Sequence, residues 1–342
     1  MTLMQSMALL AAVVLIVMAG HAWWSSRQAR GRRGEPSPRP ADRVEPGLSD
    51  APPARPALPA EARAGIVRRA GRLDALIDAI APLALDAQVS GAALLAHMPV
   101  TRRAGTKVFL VEGLNAEHGQ WESPLQSQSY SELQAGVQLA SRSGALNEIE
   151  YSEFVQKVQD YCDAVGAMPD FPDMLDVVAR ARELDAFASP LDAVLTVTLQ
   201  AGEVIWSVQY LQQCATRIGF VPGALPGRWV LPAAEEGAPP VLVLSFDSQA
   251  ALADEPQAAV VRECVLSLDV PQTAEALEPF PAWHNAARKL ADELAARLVD
   301  DRGQPVTLHA FSAIGRELDG IYRALASRDL PAGSAAARRL FS

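Results

Sequence analysis

Three residues that lie close together in the chain are the first candidates for chemistry. Glu112, His118 and Trp121 fall in one region that is predicted as a loop. A carboxylate, an imidazole and an aromatic ring are side chains from which a deep polar enzyme pocket can be built. These residues therefore define one functional alternative, an enzyme whose pocket gathers several polar groups.

The rest of the chain carries no catalytic or nucleotide-binding motif. GxxxxGK[ST], GxGxxG after a strand, GxSxG and HExxH are all missing from the sequence. The histidines are scattered, at His21, His97, His118, His284 and His309. The sequence therefore favours a binding protein over an enzyme, and it predicts no cofactor and no metal site.

The cysteines indicate a reducing compartment. Cys162, Cys214 and Cys264 form an odd set without a CxxC pair. Such a set is typical of free, mostly buried thiols rather than of a disulfide framework or a zinc site.

An uncharged stretch at the N-terminus predicts a membrane anchor. The first charged side chain of the protein is that of Arg27, and residues 3–24 are long enough for a helix that crosses a bilayer. Arginines follow this stretch, so the positive-inside rule places the N-terminus outside and the remainder in the cytoplasm. The alternative is a cleaved signal peptide with a site near residues 20–22, but a signal peptide has its positive charge before the apolar run.

The positively charged and negatively charged residues are unevenly distributed. Residues 1–72 hold 11 arginines and 5 acidic residues, a net charge of +6, and the remainder carries −16. A basic segment beside the bilayer is attracted to anionic lipid, whereas an acidic body is repelled by nucleic acid. Eight prolines fall between residues 34 and 59, which predicts that residues 25–65 are a basic and then proline-rich disordered linker.

Residues 66–342 are predicted to form an α+β structure that consists of two similar halves. The stretch "ECVLSLDVP" from Glu263 alternates as a half-buried strand does, and apolar residues at helical spacing predict a helix over Ala282–Leu298. "LDALIDAIAPLAL" from Leu73 parallels "LDAVLTVTL" from Leu191, and "TKVFLVEGL" from Thr106 is aligned with "GRWVLPA" from Gly227. The predicted domains are 66–188, a possible divergent copy, and 189–328, followed by a tail, 329–342. The alternative is one larger α+β domain in which the sequence similarities between the two halves arise by chance.

The assembled features resemble one family, that of the cell-division protein ZipA. The resemblance covers Leu191 to about Ala326 and includes "DAVLTVTL", the helix "SVQYLQQCATRIGF", the strand "PPVLVLSF" and "ECVLSLDVP". Its most specific piece is "VDDRGQPVT" from Val299. Members of the family have one transmembrane helix, a charged and proline-rich linker, and a cytoplasmic domain that binds the C-terminal tail of the tubulin-like FtsZ.

The resemblance implies an antiparallel sheet of the split β-α-β type with helices on one face. The internal repeat offers, as one interpretation, a second copy of this unit behind the transmembrane helix. The opposite face would form a shallow, mostly apolar groove for the FtsZ tail. Carried over strand by strand, the expected groove residues are Val194, Thr196, Thr198, Trp229, Leu231, Leu244, Phe246, Ser248, Val265 and Ser267. Segment 73–187 has no counterpart in the family pattern. In addition, Thr196, Thr198 and Ser267 make the expected groove more polar than a purely apolar groove would be.

The resulting functional expectation is a non-enzymatic, single-pass protein of the cell inner membrane. It would bind the FtsZ tail at the division site and so tether the division ring to the bilayer, with no nucleic-acid partner. The alternative is a membrane-anchored enzyme, or a scaffold of another envelope complex.

Overall fold

The computed structural model describes residues 71–235, 237–253, 255, 259–306 and 308–342. All of these residues belong to one compact unit, 66–342, which we refer to as the second unit of the chain. The predicted transmembrane helix 3–24 and linker 25–65 therefore lie outside the described residues. Over the part of the chain that is described, no helix combines the length and apolar character needed to cross a bilayer.

The first half of the second unit is built on a seven-stranded antiparallel sheet. The strands of this half are β1 Asp78–Leu85, β2 Val89–Ser90, β3 Arg103–Ala104, β4 Lys107–Asn115, β5 Trp121–Glu122, β6 Ser129–Gln138, β7 Ala140–Ser141, β8 Gly144–Ala145 and β9 Ala167–Pro169. Its helices are α1 Gly91–His97, α2 Glu148–Val165 and α3 Met174–Ala188. The main strand order is β3-β4-β6-β1-β9, with β2 on β6 and β5 on β4, while β7 and β8 pair separately.

The second half is built on a six-stranded antiparallel sheet. Its strands are β10 Val194–Ala201, β11 Trp206–Ser207, β12 Val221–Pro222, β13 Arg228–Leu231, β14 Leu242–Ser245, β15 Val260–Val261, β16 Glu263–Asp269 and β17 Ala296–Val299. The helices are α4 Val208–Ile218, α5 Ser248–Ala251, α6 Pro279–Leu294, α7 Leu308–Ala326 and α8 Ala335–Leu340. The strand order is β12-β13-β14-β16-β10-β17, and β11 pairs with β15 apart from the sheet.

The two sheets share one topology. In the first, β6 lies between β4 and β1, and β9 follows β1 at the edge; in the second, β16 lies between β14 and β10, and β17 follows β10. Both are split β-α-β arrangements, in which a strand is inserted between the two strands of a β-α-β unit. This confirms the predicted α+β fold class, and the two halves have the same strand order. The strand order also corrects one alignment, since "TKVFLVEGL" (β4) corresponds to β14 and not to β13.

Local sequence determines where the main helices begin and end. Asn147 accepts hydrogen bonds from the amides of Ile149 and Glu150, and the Glu150 carboxylate accepts one from the amide of Asn147. This capping box starts α2, and Gly166 ends it with a φ of 71°, a conformation that glycine adopts without steric cost.

The predicted helix over Ala282–Leu298 is shorter than expected at its C-terminal end. It ends at Leu294, because Ala295 has a φ of 49° and the chain turns into β17. Leu298 then pairs with Leu199 of β10 and completes the edge of the sheet. The helical spacing of Leu298 from Leu294 is thus coincidental.

The last residues of the chain pack onto the junction between the halves. The segment 329–342 contains α8, and the side chains of Leu340 and Phe341 are buried. The Gln138 side-chain amide donates to the main-chain oxygen of Arg339 at 2.6 Å, and the Gln272 amide donates to that of Phe341 at 2.7 Å. Each half therefore holds this C-terminal segment through a side-chain amide.

Candidate peptide-binding face

One face of the second sheet is covered by helices. Val197, Leu266 and Leu244 lie opposite one another on β10, β16 and β14, and all three are essentially inaccessible to solvent. Helix α6 packs on this side, where the Trp283 indole N–H donates to the main-chain oxygen of Leu266 at 3.3 Å. These residues are the core of the second half, and we refer to this side as the helix-covered face.

The other side of the sheet, which we name the open face, is formed by the alternate residues of the same strands. Two rows of paired residues cross it. The first row consists of Thr196, Ser267 and Val243, and the second consists of Thr198, Val265 and Ser245. Thr196 is exposed and the other five are half-buried. Small hydroxyl and β-branched side chains therefore give this face a shallow, mixed surface.

Of the ten residues expected in the groove, five lie together on the open face. They are Val194, Thr196, Thr198, Val265 and Ser267. Ser267 also donates a hydrogen bond from its hydroxyl to the main-chain oxygen of Val243, at 3.3 Å. This bond holds the hydroxyl against the sheet beside the β14 strand.

Three of the expected residues lie on the opposite side. Leu244 is fully buried on the helix-covered face. Trp229 pairs with Leu244 across the strands and Leu231 pairs with Leu242, so both lie on this same face. This corrects their sequence-based placement. The open face at these strands is formed instead by Val230, Val243 and Ser245, which sequence reasoning missed.

The remaining two lie just after β14. Phe246 donates its main-chain N–H to the oxygen of Gly227 at 2.9 Å, and Ser248 is the first residue of α5. Phe246 lines a groove of about 790 Å³ that continues from the open face. The groove is also lined by Gln200, Ser245, Arg262, Val265 and Arg297.

The rim of this groove carries charges of both signs. Arg262 and Glu263 are exposed neighbours at the start of β16, and Asp247 caps α5 by accepting from the amide of Gln249 at 2.9 Å. The Arg297 guanidinium donates to the side-chain oxygen of Gln200 at 3.3 Å. A mixed surface, with Phe246 and Val265 between such polar side chains, suits an extended amphipathic peptide whose polar groups stay at the rim.

The residues of the enzyme alternative occupy the first half. Glu112 is 1% exposed, and its carboxylate accepts hydrogen bonds from the amides of Arg72 and Leu73 and from the side-chain amide of Gln134. His118 Nε2 lies 3.9 Å from a carboxylate oxygen of Glu122. The Glu112 carboxylate thus binds main-chain amides of its own chain.

Comparison with known proteins shows a similarity over part of the second half. Residues 235–317 match the family model described as ZipA, C-terminal FtsZ-binding domain. This match confirms the resemblance to the ZipA family within these residues, and the domain that the model describes is one that binds FtsZ. No curated protein matches the chain. The matched region includes β14 and β16, which supply the central part of the open face.

Proposed function

We propose that the protein is an adaptor that binds the C-terminal tail of FtsZ on the open face of the second sheet and tethers the division ring to the inner membrane. The observation that carries this proposal is that the FtsZ-binding family match includes strands whose outer face is covered by none of the helices described in the structure. Residues 3–24 are the proposed membrane anchor, and residues 25–65 are the proposed flexible tether. The acidic body argues against a nucleic-acid partner.

The proposed mechanism is avidity. A shallow face that binds a short tail has an affinity on the order of micromolar, because ordering the tail opposes the apolar gain. A filament presents many tails, and adaptors confined to a membrane meet them at high effective concentration. Weak single contacts then add up to a firm attachment of the filament.

The binding face can be tested with a fluorescent peptide of the host's FtsZ tail, titrated into the full-length protein. The Val265→Asp variant should weaken binding about tenfold or more, because a carboxylate would be buried under the peptide without a partner. Val204→Asp is the matched control, since Val204 is an exposed valine before β11. Equal affinity for the wild type and Val265→Asp would exclude the open face as the binding site.

The tether can be tested with the full-length protein in liposomes mixed with FtsZ filaments. Filaments should sediment with the liposomes, and deletion of residues 1–24 should leave them in the supernatant while the affinity for the tail peptide stays unchanged. If the shortened protein still carries filaments to liposomes, the proposed anchor is wrong.

A further inference from the structure

The first sheet has a face that corresponds to the open face of the second. Its own helix-covered side includes Phe109, Val137 and Ala79, which lie opposite one another and are fully buried. The other side carries the alternate residues, in rows that include Leu110, Gly136 and Ile80. Because the two sheets share one topology, this side occupies the position that the open face has in the second half.

This face of the first sheet is occupied by the protein's own chain. The segment Gly71–Asp74, which we name the strap, precedes β1 and crosses the sheet. A Cβ atom on Gly136 would lie 2.5 Å from Cδ2 of Leu73 and 3.4 Å from Cγ1 of Ile80. The absence of a side chain at residue 136 thus creates the seat in which the Leu73 side chain lies.

The strap is also held through its main chain. The amides of Arg72 and Leu73 donate to Glu112, and the amide of Gly71 donates to the main-chain oxygen of Trp121 at 2.8 Å. On the other side, the Arg339 guanidinium donates to the main-chain oxygen of Arg72 at 2.6 Å. An apolar anchor together with main-chain hydrogen bonds is the usual mode in which a domain binds an extended peptide.

Free volume remains beside the strap. A cavity of about 650 Å³ extends from Leu73 over Val108 and Leu110 to Arg338 of α8. Val108 and Leu110 are only half-buried, so the strap leaves part of the apolar surface of β4 accessible. The face is therefore longer than the segment that occupies it.

We propose that this face of the first sheet is a second peptide-binding face, of the same class as the open face of the second half, and that the strap keeps it closed. Its ligand is an extended peptide with an apolar anchor residue that replaces Leu73. This proposal rests on the proposed function in one respect, namely that the second half binds such a peptide. In the wild type the strap occupies the seat, so one FtsZ tail binds per chain.

The face can be tested without FtsZ by means of the protein's own strap sequence. The probe is a fluorescent peptide of residues 66–75, titrated into full-length protein. Leu73→Asp should free the seat, since a carboxylate is excluded from an apolar contact, and it should convert no binding in the wild type into saturable binding of one peptide. Leu76→Asp is the control, because Leu76 is an exposed leucine in the turn after the strap.

A second variant ties the binding to the seat. Gly136→Ala combined with Leu73→Asp fills the seat with a methyl group and should abolish the binding of the strap peptide. The sheet tolerates this alanine, because the close contacts of the new Cβ are with the Leu73 side chain, which the variant lacks. If Leu73→Asp fails to bind the strap peptide, or if the double variant binds it equally well, the proposal is overturned.

The FtsZ tail peptide then tests the class of ligand. Leu73→Asp should bind two tails per chain where the wild type binds one. If the variant binds the strap peptide but only one tail, the claim that both faces bind the same class of peptide is wrong. If neither protein binds the tail, the proposed function fails, whereas the strap peptide still decides whether the face exists.

Discussion

The Arg339 guanidinium forms a two-pronged ion pair with the carboxylate of Asp78, with distances of 2.7 Å from Nη1 to Oδ2 and 2.6 Å from Nη2 to Oδ1. The Asp78 side chain is fully buried at the start of β1, and Arg339 belongs to α8 near the end of the chain. Burial raises the pKa of Asp78 above its usual value, although the hydrogen bond from Arg339 opposes this shift. The pair therefore fastens the C-terminal helix to the first sheet beside the strap.

Arg339→Ala should lower the free energy of unfolding by about 3–5 kcal/mol, because it leaves a buried carboxylate without its partner. Arg338→Ala is the control, since Arg338 lies 3.8 Å from the exposed Glu235 and such pairs contribute at most about 1 kcal/mol. Urea unfolding followed by circular dichroism measures both. Similar losses in the two variants would contradict the structural importance of the ion pair.

The assignment of two faces to the second sheet predicts different effects for Leu244 of β14 and Val265 of β16, which lie on opposite sides. Leu244→Ala should cost about 2–5 kcal/mol of stability, as is typical of a fully buried leucine. Val265→Ala, on the open face, should cost less stability but weaken binding of the FtsZ tail. Urea unfolding and peptide titration of both variants distinguish the faces, and a weaker tail affinity for a fully folded Leu244→Ala alone would reverse the assignment.

The lowered pKa of Glu150 predicts that the free energy of unfolding decreases in acid. Burial alone would raise its pKa, but hydrogen bonds from the Thr106 hydroxyl and amide and from the Asn147 amide hold it below its usual value of 4.5. A lowered pKa in the folded state adds stability above pH 4.5, and this contribution is lost as the pH falls below that value.

Glu150→Gln should therefore lose less stability than the wild type when urea unfolding is compared at about pH 6 and about pH 4. Glu148→Gln is a suitable control, because Glu148 lies on the exposed side of the same helical turn, paired with Arg182. An equal loss in the wild type and Glu150→Gln would show that Glu150 does not carry this part of the acid sensitivity.

The thiols should be unreactive in the folded protein. Cys162, Cys214 and Cys264 are all free and buried, and burial raises the pKa of Cys162 to about 11 and of Cys264 to about 12. Since the thiolate is the reactive form, Ellman's reagent should label none of them at neutral pH and all three in concentrated urea. Rapid labelling without denaturant would show that at least one cysteine is accessible.

The sequence by itself determined the features that depend on local patterns. Alternation in "ECVLSLDVP" predicted β16 and its buried side, and the structure buries Cys264, Leu266 and Leu268. The weak internal repeat left two interpretations open, two copies of one unit or one larger domain, and the two sheets of the structure have the same strand order. The strand prediction succeeds because local backbone geometry determines on which side of a strand each successive side chain lies.

The tertiary structure alone decided which side of β14 is buried. In "VLVLSF" both sets of alternate residues are apolar, so the pattern lacks the polar contrast that would identify the outer side. Pairing with β16 settled it, because Leu244 lies opposite Leu266. Trp229 and Leu231 lie on the helix-covered face as well, because they pair with Leu244 and Leu242.

The strap and the C-terminal helix were also decided by tertiary structure. Glu112 and Leu73 are 39 residues apart, and Arg339 and Asp78 are 261 residues apart. No local pattern connects such pairs, because their contacts depend on how two sheets and their helices pack together. The family resemblance implied a face free of helices for the second sheet, and only the folded chain showed that the corresponding face of the first sheet is occupied by the strap.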